Sequence, residues 1–233
     1  MLVPDPAGGA VGDVAHGLLA LGVPAGALVI DAGCGTGRYA RGVAGAGFRV
    51  IGVDRSPALI DEARAASPPA AATYVCADLA AWSPPEPAGA VLCRGVPNDL
   101  LDDRDRHAAF AAFAAWLRPG GVLPADARDW QATAARYAVT SRHERSATAP
   151  GRSLAFTSVT VLDRDRRRMV VRERYTGVVD GAAIDERYDF AMRPWTADEL
   201  RAHARDAGFA DAELHLGAAG GVAPDRLQVI AHR

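Results

Sequence analysis

The seven residues Asp31–Gly37, DAGCGTG, constrain this chain more than any other feature, because they follow the apolar run Leu28–Ile30 without a spacer. Gly33, Gly35 and Gly37 alternate as GxGxG. Glycine reaches backbone angles closed to other residues and lets a ligand approach the main chain closely. A buried strand (Ala27–Asp31), a glycine-rich turn and an Ala-rich helical stretch (Gly37–Ala46) together open a strand–helix unit.

More units follow. Phe48–Asp54 reads as a second strand, and Ala58–Ala66 as its helix, stopped by Pro68 and Pro69. Tyr74–Ala77 is a short third strand and Ala90–Arg94 a fourth. Asp103–Leu117 predicts a helix with Phe110, Phe113, Trp116 and Leu117 on its apolar face; Asp102 is its N-cap and Arg118-Pro119-Gly120-Gly121 ends it. Gly121–Asp126 reads as a fifth strand, in which Pro124 predicts a bulge or an early end to the pairing.

Beyond Trp130 the period changes. Leu154–Leu162, Met169–Val178 and Ile184–Met192 partly alternate apolar and polar residues, which predicts antiparallel strands with one solvated face. Asp163–Arg168 and Asp180-Gly181 are the turns between them, and the arginines of Arg164–Arg168 read as solvated rather than as a binding patch. Thr196 and Glu199 form a capping box for a helix over Trp195–Ala207, stopped by Gly208, and Leu227–Ala231 reads as a last strand. The expected architecture is α/β, a single domain over residues 1–233 with an antiparallel insertion at 131–192.

Composition narrows the classes. With 233 residues and 49% hydrophobic content, the chain can bury a large core without a metal or disulfides. Its three cysteines, Cys34, Cys76 and Cys93, form no CxxC or Cys/His cluster, so they read as reduced thiols packed near strand ends and no metal is expected. A formal charge of −2 gives no electrostatic case for nucleic acid or an anionic membrane. All basic residues are Arg, which reflects the bias of a GC-rich genome. No Arg precedes Arg38, so neither a secretory signal nor a transit peptide is read, and Val14–Ile30 is broken by Gly22, Pro24 and Gly26. A cytoplasmic protein is expected, as a monomer or homodimer.

The chemistry-bearing residues sit at strand ends. Asp31 precedes the glycine loop, Asp54 ends the second strand about 20 residues on, where an acid accepts both ribose hydroxyls, and Asp78 follows the third strand in CADL. A dinucleotide fold uses GxGxxG for a pyrophosphate; here the third glycine comes one residue early. A carboxylate beside the loop suits the amino group of a methionine moiety better than a pyrophosphate.

VIDAGCGTGRYA (Val29–Ala40), GVDRSP (Gly52–Pro57), CADL (Cys76–Leu79) and LRPGG (Leu117–Gly121) resemble the successive signatures of class I S-adenosylmethionine (SAM) dependent methyltransferases of small-molecule type. The resemblance covers Ala27 to Trp130. It implies a Rossmann-like, seven-stranded, mostly parallel sheet with helices on both faces, under an antiparallel β insertion acting as a lid. It implies SAM as cofactor and S-adenosyl-L-homocysteine as product. Asp31 with the backbone of Gly33, Cys34, Gly35 and Gly37 would hold the methionine end, Asp54 the ribose, and Asp78 with Leu79 the adenine, with Arg55 a further cofactor contact. Cys93 and Arg94 would line the sulfonium.

Methyl transfer from a sulfonium is an in-line displacement, so alignment and exclusion of water matter most, and a base is needed only if the acceptor must lose a proton. Acceptor contacts are expected from Asn98, Asp99, Arg128, Trp130 and Tyr137; Asp99, Tyr137 and His143 are the candidate catalytic groups. The segment after the fourth strand, Arg94–Asp99, lacks the Asn/Asp-Pro-Pro-Tyr motif of nucleic-acid base methylation, which favours a small-molecule acceptor. Two other readings stay open: a SAM-binding protein that performs no methyl transfer, and an NAD-dependent oxidoreductase.

Overall fold

The computed structural model describes residues 11–67, 72–137, 139–217 and 225–233. Seven strands form one sheet in the order β10-β11-β5-β4-β1-β2-β3, namely β1 (Leu28–Ala32), β2 (Arg49–Asp54), β3 (Thr73–Cys76), β4 (Ala88–Arg94), β5 (Leu117–Arg128), β10 (Asp211–Leu216) and β11 (Arg226–His232). Only β11 runs against its neighbours β5 and β10. The order reverses between β1 and β4, and ligands of open α/β sheets bind at that switch point, outside the carboxyl ends of the strands.

Strand alternation sends side chains into two cores. Val29, Ala90 and Leu92 point into a layer with Leu18, Val43, Phe48, Ile60 and Tyr74, beneath α1 (Val11–Ala20), α2 (Arg38–Gly45) and α3 (Pro57–Ala65). Leu28, Ile30, Val91 and Cys93 point the other way, into a layer with Phe110, Phe113, Trp116, Trp195, Leu200 and Phe209. That second layer lies beneath α4 (Asp103–Trp116) and α6 (Ala197–Asp206). Every residue of β1 is buried, as expected of a central strand covered on both faces. The predicted caps are present: Asp102 accepts from Asp105 N–H at 2.9 Å, and Thr196 with Glu199 closes the capping box.

Several boundaries differ from the sequence reading. Leu117–Gly121 does not terminate α4 in a loop; it is already β5, which pairs with β4 from Leu117. Pro124 neither bulges nor ends the strand. It pairs opposite Ile230, and the irregularity falls between Ala88 and Ala90 instead. A helix, α5 (Trp130–Arg136), follows β5. The antiparallel insertion has four strands rather than three: β6 (Thr140–Ala149), β7 (Arg152–Asp163), β8 (Arg168–Val179) and β9 (Ala182–Met192), paired in sequence order. The hairpin between β8 and β9 turns on Asp180 (φ 52°) and Gly181 (φ 83°), both left-handed, as a two-residue turn joining twisted strands requires. Cys34 and Cys93 are buried as expected, but Cys76 is exposed.

Candidate active site

The glycine loop is anchored to the end of β2. Gly33 and Cys34 both donate their N–H to Val53 C=O (2.7 and 3.1 Å), and Gly35 N–H donates to Asp54 Oδ2 at 2.9 Å. Asp54 Oδ1 accepts from Ser56 N–H at 2.9 Å, so this one carboxylate ties together the loops after β1 and β2. A carboxylate has about four acceptor sites, so lone pairs remain for a ligand. Gly33 (φ 73°) and Gly37 (φ 74°) occupy the left-handed region, and a Cβ there would lie 1.9 Å from Val96 Cγ2 and 2.6 Å from the Tyr74 hydroxyl. Gly35 faces open space.

Asp31, at the end of β1, is 2% exposed. Burial raises its carboxyl to about 7; the Ala40 N–H and Arg94 oppose that shift, and Asp54 adds to it. Its Oδ2 is buried with no hydrogen-bond partner among the described residues. Leaving such an oxygen unsatisfied is costly, and a bound cationic donor relieves it. Burial also pushes the Cys34 thiol up to about 12, with Asp31 and Asp54 adding to the effect.

The turn after β4 forms the facing wall. Val96–Asp99 is a short 3-10 helix entered through Gly95 (φ 86°). Buried Asp126, on β5, anchors it: Oδ1 accepts from Gly95 N–H (3.1 Å) and pairs with Arg226 Nη2, while Oδ2 accepts from Arg94 Nε at 2.8 Å. The Arg94 guanidinium lies 4.6 Å over the Tyr39 ring. Arg94 is therefore held as an ion pair between two walls, and Cys93 is buried in the core rather than open to the crevice. Asn98 is 2% exposed; its Nδ2 donates to Gly95 C=O and its Oδ1 accepts from Arg128 N–H. With both ends of its amide in use, Asn98 is a clamp between turn and sheet.

Asp99 behaves differently. Among the described residues nothing hydrogen-bonds or pairs with its carboxylate. Asp99 is exposed; partial desolvation shifts its carboxyl upward from the ordinary value, opposed by Arg55 and Arg226 and reinforced by Asp54. Asp99 also adds to the upward shift of Cys93. The structure thus gathers Asp31, Gly33–Gly37, Asp54, Arg55, Arg94 and Asp99 around the ends of β1, β2 and β4. Asp78 is exposed and accepts from Ala80 N–H at 2.8 Å, and Leu79 packs partly against the core.

The remaining candidates lie elsewhere. Arg128 and Arg136 both pair with buried Asp225, at 2.5 and 3.3 Å, so Arg128 is committed to a structural ion pair. Trp130 opens α5, and its N–H donates to Trp195 C=O at 2.8 Å. Tyr137 and His143 meet edge to face at 6.4 Å, with His143 on the exposed strand β6. Sequence reasoning missed Tyr39, at the start of α2, and Asp126 and Arg226, whose only signal was position at or near a strand end. Among the described residues, no group of three or more His, Cys, Asp or Glu side chains is arranged to hold a metal ion, and no helix is long and apolar enough to cross a membrane.

A glycine loop after β1, acids at successive strand ends and a reversed seventh strand define a class I methyltransferase fold. Residues 29–121 match the methyltransferase-domain family. No curated protein sequence matches the chain. Among solved structures, the chain is similar to SAM-bound CalS10 from Micromonospora echinaspora, an amino pentose methyltransferase of calicheamicin biosynthesis (24% identity, 96% of this chain, 90% of that one, TM-score 0.79). It is also similar to the sugar N-methyltransferase KedS8 from Streptoalloteichus (19%, 96%, 85%, 0.76) and to the CcbJ methyltransferase from Streptomyces caelestis (19%, 99%, 98%, 0.77). At these identities the likenesses establish the fold.

Proposed function

We propose that the protein transfers a methyl group from SAM to an amine nitrogen of a small molecule in specialised metabolism. The observation that carries the cofactor assignment is the orphaned, buried Oδ2 of Asp31 beside the glycine loop. It fits the ammonium of a methionine moiety, whose charge would restore the ionised carboxylate that burial disfavours. The spare acceptor sites of Asp54 fit ribose hydroxyls, and Asp78 with Leu79 fits the adenine edge. When bound, SAM supplies a methyl group already activated on a sulfonium, so no residue has to assist the leaving group.

The chain's own task is to orient the acceptor and manage one proton. Asp99, at the end of the turn after β4, is exposed and lies within electrostatic reach of Asp54, Arg55 and Arg226, and we assign it the acceptor side. Its carboxylate would hold an incoming ammonium and take the proton that must leave before nitrogen attacks. A raised carboxyl is a competent base for an ammonium but far too weak for an aliphatic alcohol. That contrast supports nitrogen over a sugar hydroxyl, in keeping with the amino-sugar neighbours. The four-stranded sheet β6–β9, with α5 leading into it, is assigned as the lid that excludes water.

Incubation with methyl-labelled SAM and a panel of amine, hydroxyl and carboxylate acceptors tests this reading. Label transfer to amines with release of S-adenosylhomocysteine is expected. Absence of transfer together with absence of SAM binding by calorimetry, or saturable NADH binding at the same crevice, would overturn it.

A further inference from the structure

Arg106 is the most unusual residue outside the strand-end crevice. It stands in the charged run Asp102–Arg106 at the start of α4, where a solvated side chain is expected, yet it is fully buried. Its Nε donates to Leu100 C=O (2.9 Å), and its Nη2 donates to Arg193 C=O (2.5 Å) and lies 3.5 Å from Pro194 C=O. The guanidinium carbon lies 3.7 Å over the Trp195 ring. Nη1 makes no hydrogen bond among the described residues and stands 3.8 Å from Glu199 Oε2. Glu199 also pairs with Arg167, in the β7–β8 turn, and with Arg193, just after β9.

Those contacts converge on the turn that carries Asp99. Trp195 Nε1, beneath the guanidinium, donates to Pro97 C=O at 2.7 Å. Arg193 N–H donates to Asn98 C=O at 2.7 Å, and Leu100 directly follows Asp99. A buried guanidinium contributes little net stability compared with a well-packed apolar side chain, so its value here lies in fixing geometry. Burial, with Arg193 adding to the effect, lowers its pKa to about 9, which leaves it charged at neutral pH.

We infer that Arg106 is a positioning residue: it locks residues 193–195 under the Gly95–Asp99 turn and so sets where the Asp99 carboxylate meets the acceptor. Its link to catalysis rests on the acceptor role proposed above, whereas its hold on the turn does not. Because Glu199 joins Arg106 to Arg167 and Arg193, the same knot ties the base of the antiparallel sheet to the turn.

The test combines amide exchange with a double-mutant cycle. In the full chain without SAM, Arg106→Lys keeps the charge but loses the fork and the stack, and exchange at the Gly95 and Asn98 amides is expected to accelerate about tenfold or more. In the assay, Arg106→Lys should lower kcat about tenfold while the Kd for SAM stays within about twofold, and Asp99→Asn/Arg106→Lys should be no slower than Asp99→Asn alone. Multiplicative losses in the double variant, a matching loss of SAM affinity, or unchanged exchange would overturn the inference. Should Arg106→Lys not fold, Trp195→Phe, which removes the donor to Pro97 C=O and part of the ring beneath the Arg106 guanidinium, enters the same cycle with the same expected pattern. If the wild-type protein transfers no methyl group, the exchange result still decides whether Arg106 holds the turn.

Discussion

Replacing Asp31 with Asn is predicted to stabilise the ligand-free protein and to abolish SAM binding, and the size of both effects follows from its burial. In the fold the Asp31 carboxyl is raised from 3.8 to about 7. Below the unfolded value both states are protonated and the site costs nothing. As pH rises from about 4 to 7, the unfolded chain ionises Asp31 while the fold resists, so stability is progressively lost, and the full penalty stands above pH 7. Three pKa units at about 1.4 kcal/mol each set that penalty at about 4 kcal/mol at most. For a domain of this size that is on the order of 10 °C in Tm. Asn keeps the shape and can still accept from Ala40 N–H, but cannot ionise. Thermal unfolding of both proteins at pH 5 and pH 8 should show Asp31→Asn gaining on wild type as pH rises. SAM titrated into wild type should bind about tenfold more weakly at pH 6 than at pH 8, since the ionised fraction falls by that factor. A stability difference independent of pH, or SAM affinity retained in Asp31→Asn, would refute the argument.

Other perturbations separate the remaining parts of the site. Gly33→Ala combines a left-handed backbone with a Cβ 1.9 Å from Val96 Cγ2; a loss of about 2–5 kcal/mol is expected in denaturant unfolding, with SAM binding lost. Asp126→Asn leaves Arg94 and Arg226, whose side chains are 17% and 14% exposed, without their shared anion. It should cost about 3 kcal/mol and loosen the turn, read as a lower denaturation midpoint and a higher acceptor KM. Asp99→Asn should lower kcat about 100-fold or more with the KM for SAM unchanged. In wild type kcat should fall on acidification through a limb above the usual carboxylate range, because protonated Asp99 cannot take the acceptor's proton. That limb should vanish in the variant.

The central sheet was readable because its strands, buried on both faces, announce themselves as short apolar runs such as Leu28–Ile30 and Ala90–Cys93. The glycine loop and Asp54 were readable because local backbone geometry demands those residues. Strand β6 escaped because Thr140–Ala149 is exposed along nearly its whole length and needs no apolar alternation. Strand β10 escaped because Asp211–Leu216 pairs at the sheet margin, where polar residues are tolerated. The side chains that organise the site were harder still. Asp126 and Arg226 meet across 100 residues of sequence, and Arg106 looks solvated until residues 193–195 fold back over it. Long-range polar pairing leaves no period in the sequence. Asn98 and Arg128 also carry partners that the sequence did not announce: Asn98 bonds to the backbone of Gly95 and Arg128, and the Arg128 side chain pairs with buried Asp225.

A crystal structure with S-adenosylhomocysteine bound would show directly whether the strand-end crevice is the cofactor site. The ligand should lie at the ends of β1, β2 and β4, with its amino group within hydrogen-bond distance of Asp31 Oδ2 and its ribose hydroxyls on Asp54. The Asp99 carboxylate should face the sulfur across the space left for the acceptor. A ligand bound elsewhere, or one that leaves Asp31 Oδ2 without a partner, would contradict that assignment.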